Sequence, residues 1–305
     1  MIQLFIGGAY PMLITERLER CDFSNSERII IDYILEKKLE IANMTAKAIA
    51  EATYTSPSTL IRIAHKMNFD GWNELKQAYL KETEYLESQV SDVDANIPFE
   101  RNETIMNIAQ KIAVLQKESI DNTLSLITHD ALQKAIQIIR KSDCIHLFAV
   151  SNNLLITQEF KQQMSRIKKR VEIHSLQSEI VFNACLSEPT SCALIVSYSG
   201  ETDILNRCIR ALKANSVPII AITNIGDNTT ARLSDCVLKI CTREKLYSKI
   251  STYSTDTAIV YLLNVIYSCI FALNYDYNLN LKIQSSKMIE DGRFSTLNII
   301  KEDEY

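Results

Sequence analysis

Five short apolar runs punctuate the second half of this chain: CIHLFAV (144–150), VEIHSL (171–176), CALIVSY (192–198), VPIIAIT (217–223) and CVLKI (236–240). Between them lie stretches of helical pattern, roughly ten to fifteen residues each. A strand with one wet face alternates apolar and polar side chains. These runs are apolar almost throughout, which is the pattern of strands covered on both faces. Strand and helix in alternation then imply an α/β domain around a five-stranded parallel sheet, layered αβα. Such sheets take ligands outside the carboxyl ends of their strands, where strand order reverses. The loops after the runs are therefore the first place to look for chemistry.

Ahead of this lies a different pattern. A long helix over 103–126 and a second over 130–141 lead into the first run, and SQVSDVDANIP (88–98) reads as a polar, acidic linker. Before the linker the chain reads as a compact helical unit. Residues 24–38 form an amphipathic helix, started at Ser26-Glu27, with Ile29, Ile30, Tyr33 and Ile34 apolar. Thr45 caps a short helix through Ala52. Ser56 caps another that opens on Pro57, a residue favoured at the first helical position. A further helix spans 72–87.

Composition narrows the function. The chain has 305 residues, enough for two cores, and its six glycines and five prolines disfavour a many-turned all-β fold. The net charge of −4 recruits neither nucleic acid nor anionic membrane in bulk, so DNA binding needs a local patch. Eight cysteines contain no Cys-x-x-Cys pair and no histidine cluster joins them at zinc-ligand spacing. They read as free thiols in a reducing cytosol, with no metal and no cofactor expected. The start of the chain lacks the basic region of a signal peptide, and Met12 is an alternative start. Residues 257–275 carry no charge, but acidic Asp256 and Asp276 flank them, so this helix is expected in a core or a subunit interface rather than a membrane.

TAKAIAEATYTSPSTLIRIAHKM (45–67) has the length and pattern of two helices crossing through a tight turn. On the second helix Leu60, Ile63, Ala64 and Met67 share one side, while Ser58, Thr59, Arg62, His65 and Lys66 share the other. No acidic residue occurs between Ser56 and Phe69. A basic, acid-free face on a short helix suits the major groove, with Arg62 the candidate base reader. Hydroxyls of Thr45, Ser56 and Ser58 stand near helix N-termini, where phosphate oxygens bind. Against this, residues 12–90 hold ten Lys or Arg and thirteen Asp or Glu, and Tyr54 occupies a turn position where glycine is common. An ordinary solvated helix in a three-helix bundle is the competing reading.

SPSTLIR (56–62), then AHKMNFDGW (64–72) and ELK (74–76), resembles the N-terminal domain of RpiR-type transcriptional regulators, with Asn68 in place of a glycine before Phe69. The resemblance runs from residue 12 to about 275. It implies that Thr45, Ser56, Ser58, Thr59, Arg62, His65 and Lys66 face double-stranded operator DNA.

A second motif, VSYSGETDIL (196–205), closes the third apolar run and enters a helix. Ser197, Ser199 and Thr202 bring hydroxyls, and Gly200 lets backbone approach closely, around a point where helix N–H groups converge on a phosphate dianion. The same residues also make an ordinary serine-rich helix cap. This run is similar to the signature of the SIS (sugar isomerase) domain. The resemblance implies a phosphosugar site completed by the loop after the first run. There FAVSNNLLITQEF (148–160) places Ala149 and Ser151 where glycines are expected and Asn153 where a serine is. Ser151, Asn152 and Asn153 remain able to hydrogen-bond a sugar on a stiffer backbone.

The expected organisation is a helix-turn-helix domain over 12–87, a linker over 88–102, an SIS domain over 103–280 and a tail over 281–305. The expected function is a cytoplasmic regulator, not an enzyme, that binds operator DNA as a homodimer or homotetramer and senses a sugar phosphate. Two alternatives stay open: an SIS-fold isomerase with a helical appendage, and a regulator whose sensor site has decayed. An isomerase needs a base beside the sugar carbon, for which His174, Glu179 and Glu201 are the candidates.

Overall fold

The computed structural model describes residues 13–88, 93–290, 292–297 and 299. The alternative start at Met12, residues 1–11 and part of the expected linker and tail lie outside them. Five helices make the N-terminal unit: α1 (Ile14–Arg20), α2 (Asn25–Lys37), α3 (Ala46–Ala52), α4 (Pro57–Lys66) and α5 (Trp72–Ser88), with a 3-10 turn at Lys38–Asn43 after α2. Helix α2 begins at Asn25, one residue before the expected Ser26 start. Ser24 is its N-cap, and the Glu27 carboxylate reaches back to the Ser24 backbone N–H at 2.8 Å, a capping box that satisfies an orphan donor. The Thr45 hydroxyl caps α3 as expected, accepting from the Ala48 N–H at 3.1 Å. Leu18, Ile30, Ile31, Ile34, Ile49, Leu60, Ile63, Met67 and Trp72 close one core among these helices.

Beyond residue 93 the chain runs through α6 (Ile105–Leu126), α7 (His129–Lys141), β1 (Cys144–Phe148), α8 (Asn152–Ile156), α9 (Gln158–Ser165), β2 (Arg170–Ile173), α10 (Ile180–Cys185), β3 (Cys192–Ser197), α11 (Asp203–Ala214), β4 (Ile219–Thr223), α12 (Thr229–Leu233), β5 (Cys236–Lys239), α13 (Tyr253–Ala272) and α14 (Tyr275–Ile289). The described strands form one sheet, all parallel, in the order β2-β1-β3-β4-β5. This is the α/β sandwich expected from the apolar runs. Alternate residues serve its two faces. Ile145, Leu147, Leu194, Val196, Ile220 and Ile222 meet α7, α9 and α13, whereas Phe148, Ala193, Ile195 and Ile219 meet α10 and α11.

The uncharged segment forms most of α13, which starts four residues earlier than its first uncharged residue, Thr257. By length and composition α13 is apolar enough to cross a bilayer. Its Ala258, Ile259, Leu262, Leu263 and Ile266 are buried in the sheet core. Helix α14 continues to Ile289, through residue 280 where the SIS domain was expected to end. Residues 93–96 of the expected linker pack on the sheet domain: Val93 and Ala95 are buried with Leu115, and Asn96 accepts from Ile250 and Lys245 N–H groups.

Candidate functional site

Two places carry the motifs. At the first, α3 and α4 meet through a turn whose centre, Tyr54, has φ +52° and is almost fully exposed. The turn is nonetheless tied down. The Thr55 N–H donates to Ala50 O at 2.8 Å, and the Thr53 hydroxyl donates to Ile49 O at 2.8 Å. A second positive φ falls at Asn68 (+63°), the residue standing in for a glycine, where α4 ends. Asparagine tolerates this region better than most residues, and the exposed tyrosine has open space around it.

On α4, Ser58, Arg62, His65 and Lys66 are exposed, and so are the N-cap residues Ser56 before α4 and Thr45 before α3. Thr59 is not. It is 4% exposed, packed beneath Ser56, so the wheel assignment to the outer face is corrected. Its place on the surface is taken by Ile61, which is 46% exposed and offers an apolar contact. The Ser56 hydroxyl is spent on Ser58 (2.8 Å) and Thr59 (3.1 Å) and caps no backbone N–H, unlike the expectation. His65 Nε2 contacts Asp70 O at 3.1 Å.

The face is acid-free only in local sequence. The fold lays Glu27 of α2 against it, where the carboxylate accepts from Arg62 Nε at 2.9 Å and from Lys66 Nζ at 2.7 Å. Glu27 is buried. Burial alone would raise its pKa, but the hydrogen bonds from Lys66, from the Ser24 N–H and hydroxyl, and from Arg62 outweigh it and hold the carboxyl at about 2. Both cations stay about half exposed. Glu27 thus fixes their orientation while their outer surfaces remain open to solvent. Local sequence marked Glu27 as part of a helix start. Nothing within α4 signalled its second use.

The second place is the switch point of the sheet, between β1 and β3, where strand order reverses and ligands of such sheets bind beyond the carboxyl ends. The loops after β1 and β3 both end there. After β3, Gly200 has φ +69°, and a Cβ on it would lie 2.0 Å from Asn228 Cγ, so no side chain fits. The Ser197 hydroxyl accepts from the Gly200 N–H at 3.2 Å and donates to Thr202 Oγ1 at 3.4 Å. Ser199 Oγ accepts from the Glu201 N–H. Thr202 is the N-cap of α11 and makes no side-chain cap bond, so its hydroxyl and the first-turn N–H groups of the helix share one neighbourhood. The loop is braced from behind. Asn224 donates to the Tyr198 and Ser199 carbonyls, and the Tyr198 hydroxyl donates to Glu244 O at 2.7 Å. Burial raises the Tyr198 pKa, which keeps that hydroxyl a donor. Asn224, Asn228 and Glu244 lie outside both motifs and carry no signal in the sequence.

After β1, Ser151 stands at φ +53° and ψ −134°, a conformation that favours glycine. It is exposed, whereas Asn152 and Asn153 are partly buried. The Asn152 amide donates to both carboxylate oxygens of Asp256 (2.9 and 2.8 Å) and to Thr252 Oγ1, so it is held by the first turn of α13. Each of the three candidate bases has a local role of its own. Glu201 accepts from the Thr229 N–H at 2.7 Å, Glu179 is the N-cap of α10, and His174 stacks on Phe148 beside β2.

Comparison with known proteins agrees with this division. A family model for the helix-turn-helix domain of the rpiR family matches residues 12–84, and one for the SIS domain matches 138–266. An HTH-type transcriptional regulator of Caldanaerobacter subterraneus subsp. tengcongensis is 25% identical over 225 residues, 74% of this chain and 78% of its own. The Vibrio vulnificus NanR protein, solved with ManNAc-6P, aligns over 92% of this chain and 100% of that one, with a TM-score of 0.56 and 18% identity. The sugar isomerase domain of an RpiR transcription factor from Sphaerobacter thermophilus covers 59% of this chain and 98% of its own, with a TM-score of 0.52 and 16% identity.

Proposed function

Since the chain belongs to the rpiR family of helix-turn-helix regulators and carries an SIS domain behind its DNA-binding head, we propose that it is a transcriptional regulator controlled by a sugar phosphate. The observation that carries this reading is the pairing on one chain of an exposed Ser58–Arg62–His65–Lys66 face with a Ser197–Thr202 loop at the switch point. The head reads duplex DNA, Arg62 contacts a base edge and Lys66 a phosphate. Hydroxyls of Ser199 and Thr202 and the α11 N–H groups hold the phosphate, the buried Ser197 hydroxyl braces Thr202 and Gly200 from beneath, and the side chains of Ser151 and Asn153 reach the sugar. Asn152 acts from behind through Asp256.

Glu201 is engaged by the Thr229 N–H, and His174 is stacked on Phe148 and hydrogen-bonded to His146, which supports a sensor rather than an isomerase. A sugar phosphate then acts through differential affinity for DNA-competent and incompetent arrangements of a cytoplasmic homodimer or homotetramer. Exposed Leu273, Tyr275, Tyr277, Leu279 and Ile283 on and beside α14 supply apolar surface for such an assembly.

Fluorescence anisotropy on the DNA flanking the gene tests the reading. Arg62→Ala is expected to cost about 1–3 kcal/mol at the operator, and Lys66→Ala to weaken all sequences alike and flatten the salt dependence. A panel of sugar phosphates is expected to raise the melting temperature by mass action, and Ser199→Ala with Thr202→Ala to abolish that rise. Unchanged operator affinity in both head variants removes the DNA assignment. Turnover of any panel member replaces the sensor with an enzyme.

A further inference from the structure

Away from the switch-point loops, β1 and β2 gather a second set of reactive side chains. The parallel register sets His146 beside Glu172 and Cys144 beside Arg170. With side chains alternating along each strand, Cys144, His146 and Phe148 share one sheet face with Glu172 and His174. The Cys144 thiol sulfur, a ring nitrogen of His146 and a carboxylate oxygen of Glu172 all lie within 4.8 Å of one another. His146 Nδ1 is 3.6 Å from Glu172 Oε2 and 3.1 Å from His174 Nε2. Phe148 stacks on the His174 ring and holds it in place, and Arg170 pairs with the Glu172 carboxylate.

We propose that Cys144, His146, Glu172 and His174 bind one zinc(II) ion. Ligand atoms bound to tetrahedral zinc at about 2.0–2.3 Å stand roughly 3.3–3.7 Å apart, and the two measured separations at His146 bracket the lower end of that range. A thiolate, two imidazoles and a carboxylate form a donor set that selects zinc over magnesium or calcium. The two rings face each other through one N–H···N hydrogen bond, so a small rotation lets the ion take the place of the shared proton, which shifts through solvent to the other nitrogen of the donor ring. The Cys144 thiol gives up its proton to solvent on binding. Cys144 is buried while His146, Glu172 and His174 are partly open, which shields the thiolate and leaves the ion a way in. Strand β2 is a four-residue edge strand paired on one side only. A cation here pins it to β1, whose far end begins the Ser151–Asn153 loop.

Cobalt(II) titrated into chelator-treated full-length protein tests the site. One equivalent is expected to give intense tetrahedral d–d bands and a thiolate-to-cobalt charge-transfer band, both displaced by zinc. Cys144→Ser leaves the other seven cysteines in place and is expected to erase the charge-transfer band. Glu172→Gln and His146→Ala are each expected to weaken cobalt binding at least tenfold. His174→Ala is expected to change the d–d intensity as a solvent molecule replaces the ring. Circular dichroism of each metal-free variant confirms that it folds, and Glu172→Gln, the mildest change, carries the test if His146→Ala does not. No thiolate band in the wild-type protein, or a band that survives Cys144→Ser, overturns the proposal.

Discussion

The loops after β1 and β3 end side by side at the same switch point, and each contains one residue with a left-handed φ. After β3 that residue is Gly200, pressed so closely on Asn228 that a Cβ has no space. After β1 it is Ser151, exposed to solvent, at φ +53°. The backbone needs the same freedom in both loops, but only one is also sterically closed. A missing glycine therefore means different things in the two places. Beside Asn228 it forbids the loop, whereas at Ser151 it costs backbone strain of the order of 1 kcal/mol and leaves the loop formed. Tyr54 and Asn68 in the head belong with Ser151. Both sit at positive φ in open surroundings.

The largest expected effect probes the closed loop. Gly200→Ala must move Asn228, whose amide donates to Thr223 Oγ1 and Asn224 Oδ1 and whose carbonyl accepts from the Ala231 N–H. It also keeps a non-glycine residue at φ +69°. The combined strain and broken buried network are expected to cost about 3 kcal/mol or more, read by urea denaturation, and to abolish any sugar-phosphate shift. A variant within about 0.5 kcal/mol of wild type would erase the distinction between the two loops.

A second contrast sets these uncharged loops against the head, where one buried carboxylate holds two cations. The Glu27 pKa falls from 4.5 to about 2 on folding. A depressed carboxylate contributes stability that is present above pH 4.5 and is lost as pH falls through about 2. That contribution is expected to be roughly 1–3 kcal/mol. Glu27→Gln is expected to remove this acid-sensitive part, so the stability gap between wild type and variant narrows between about pH 5 and 2. The same change releases Arg62 and Lys66, so affinity for random DNA is expected to rise with a steeper salt dependence. A gap independent of pH would show that the two cations, not the carboxylate, are the replaceable partners.

These two features were not equally open to reading from sequence. Runs such as CALIVSY mark buried parallel strands because both faces need apolar side chains, and all five became strands of one sheet. Thr45 could be placed as a cap because a capping bond spans three residues. Tyr54 betrayed a turn of unusual backbone because it stands where glycine is common, and Asn68 stood out only as a departure from the family motif's glycine. Glu27 is 35 residues from Arg62, Asp256 is 104 from Asn152, and His146 is 28 from His174. Periodicity and capping say nothing about which distant helix or strand lies alongside. The partners that restrain the candidate site side chains, Glu27 and Asp256, therefore emerged only with the packing, as did the buried position of Thr59.

The smallest expected effect is the sharpest test of the open loop. Ser151→Gly relieves the strain of φ +53° and ψ −134° but lets the unfolded chain explore more conformations. Relief of about 1 kcal/mol set against an entropic loss of about 0.5–1 kcal/mol leaves a net gain of about 0–0.5 kcal/mol. Ser151→Ala keeps the strain and loses only an exposed hydroxyl, so it is expected to leave stability within about 0.5 kcal/mol of wild type. If the loop binds sugar phosphate at its native shape, the glycine variant is also expected to bind no worse, because Asn152 stays clamped to Asp256 while the backbone loosens at one residue. Paired melting curves with and without ligand separate the two contributions. A glycine variant less stable than the alanine variant would show that Ser151 stabilises its own loop through the hydroxyl, and that the strain assigned to it is illusory.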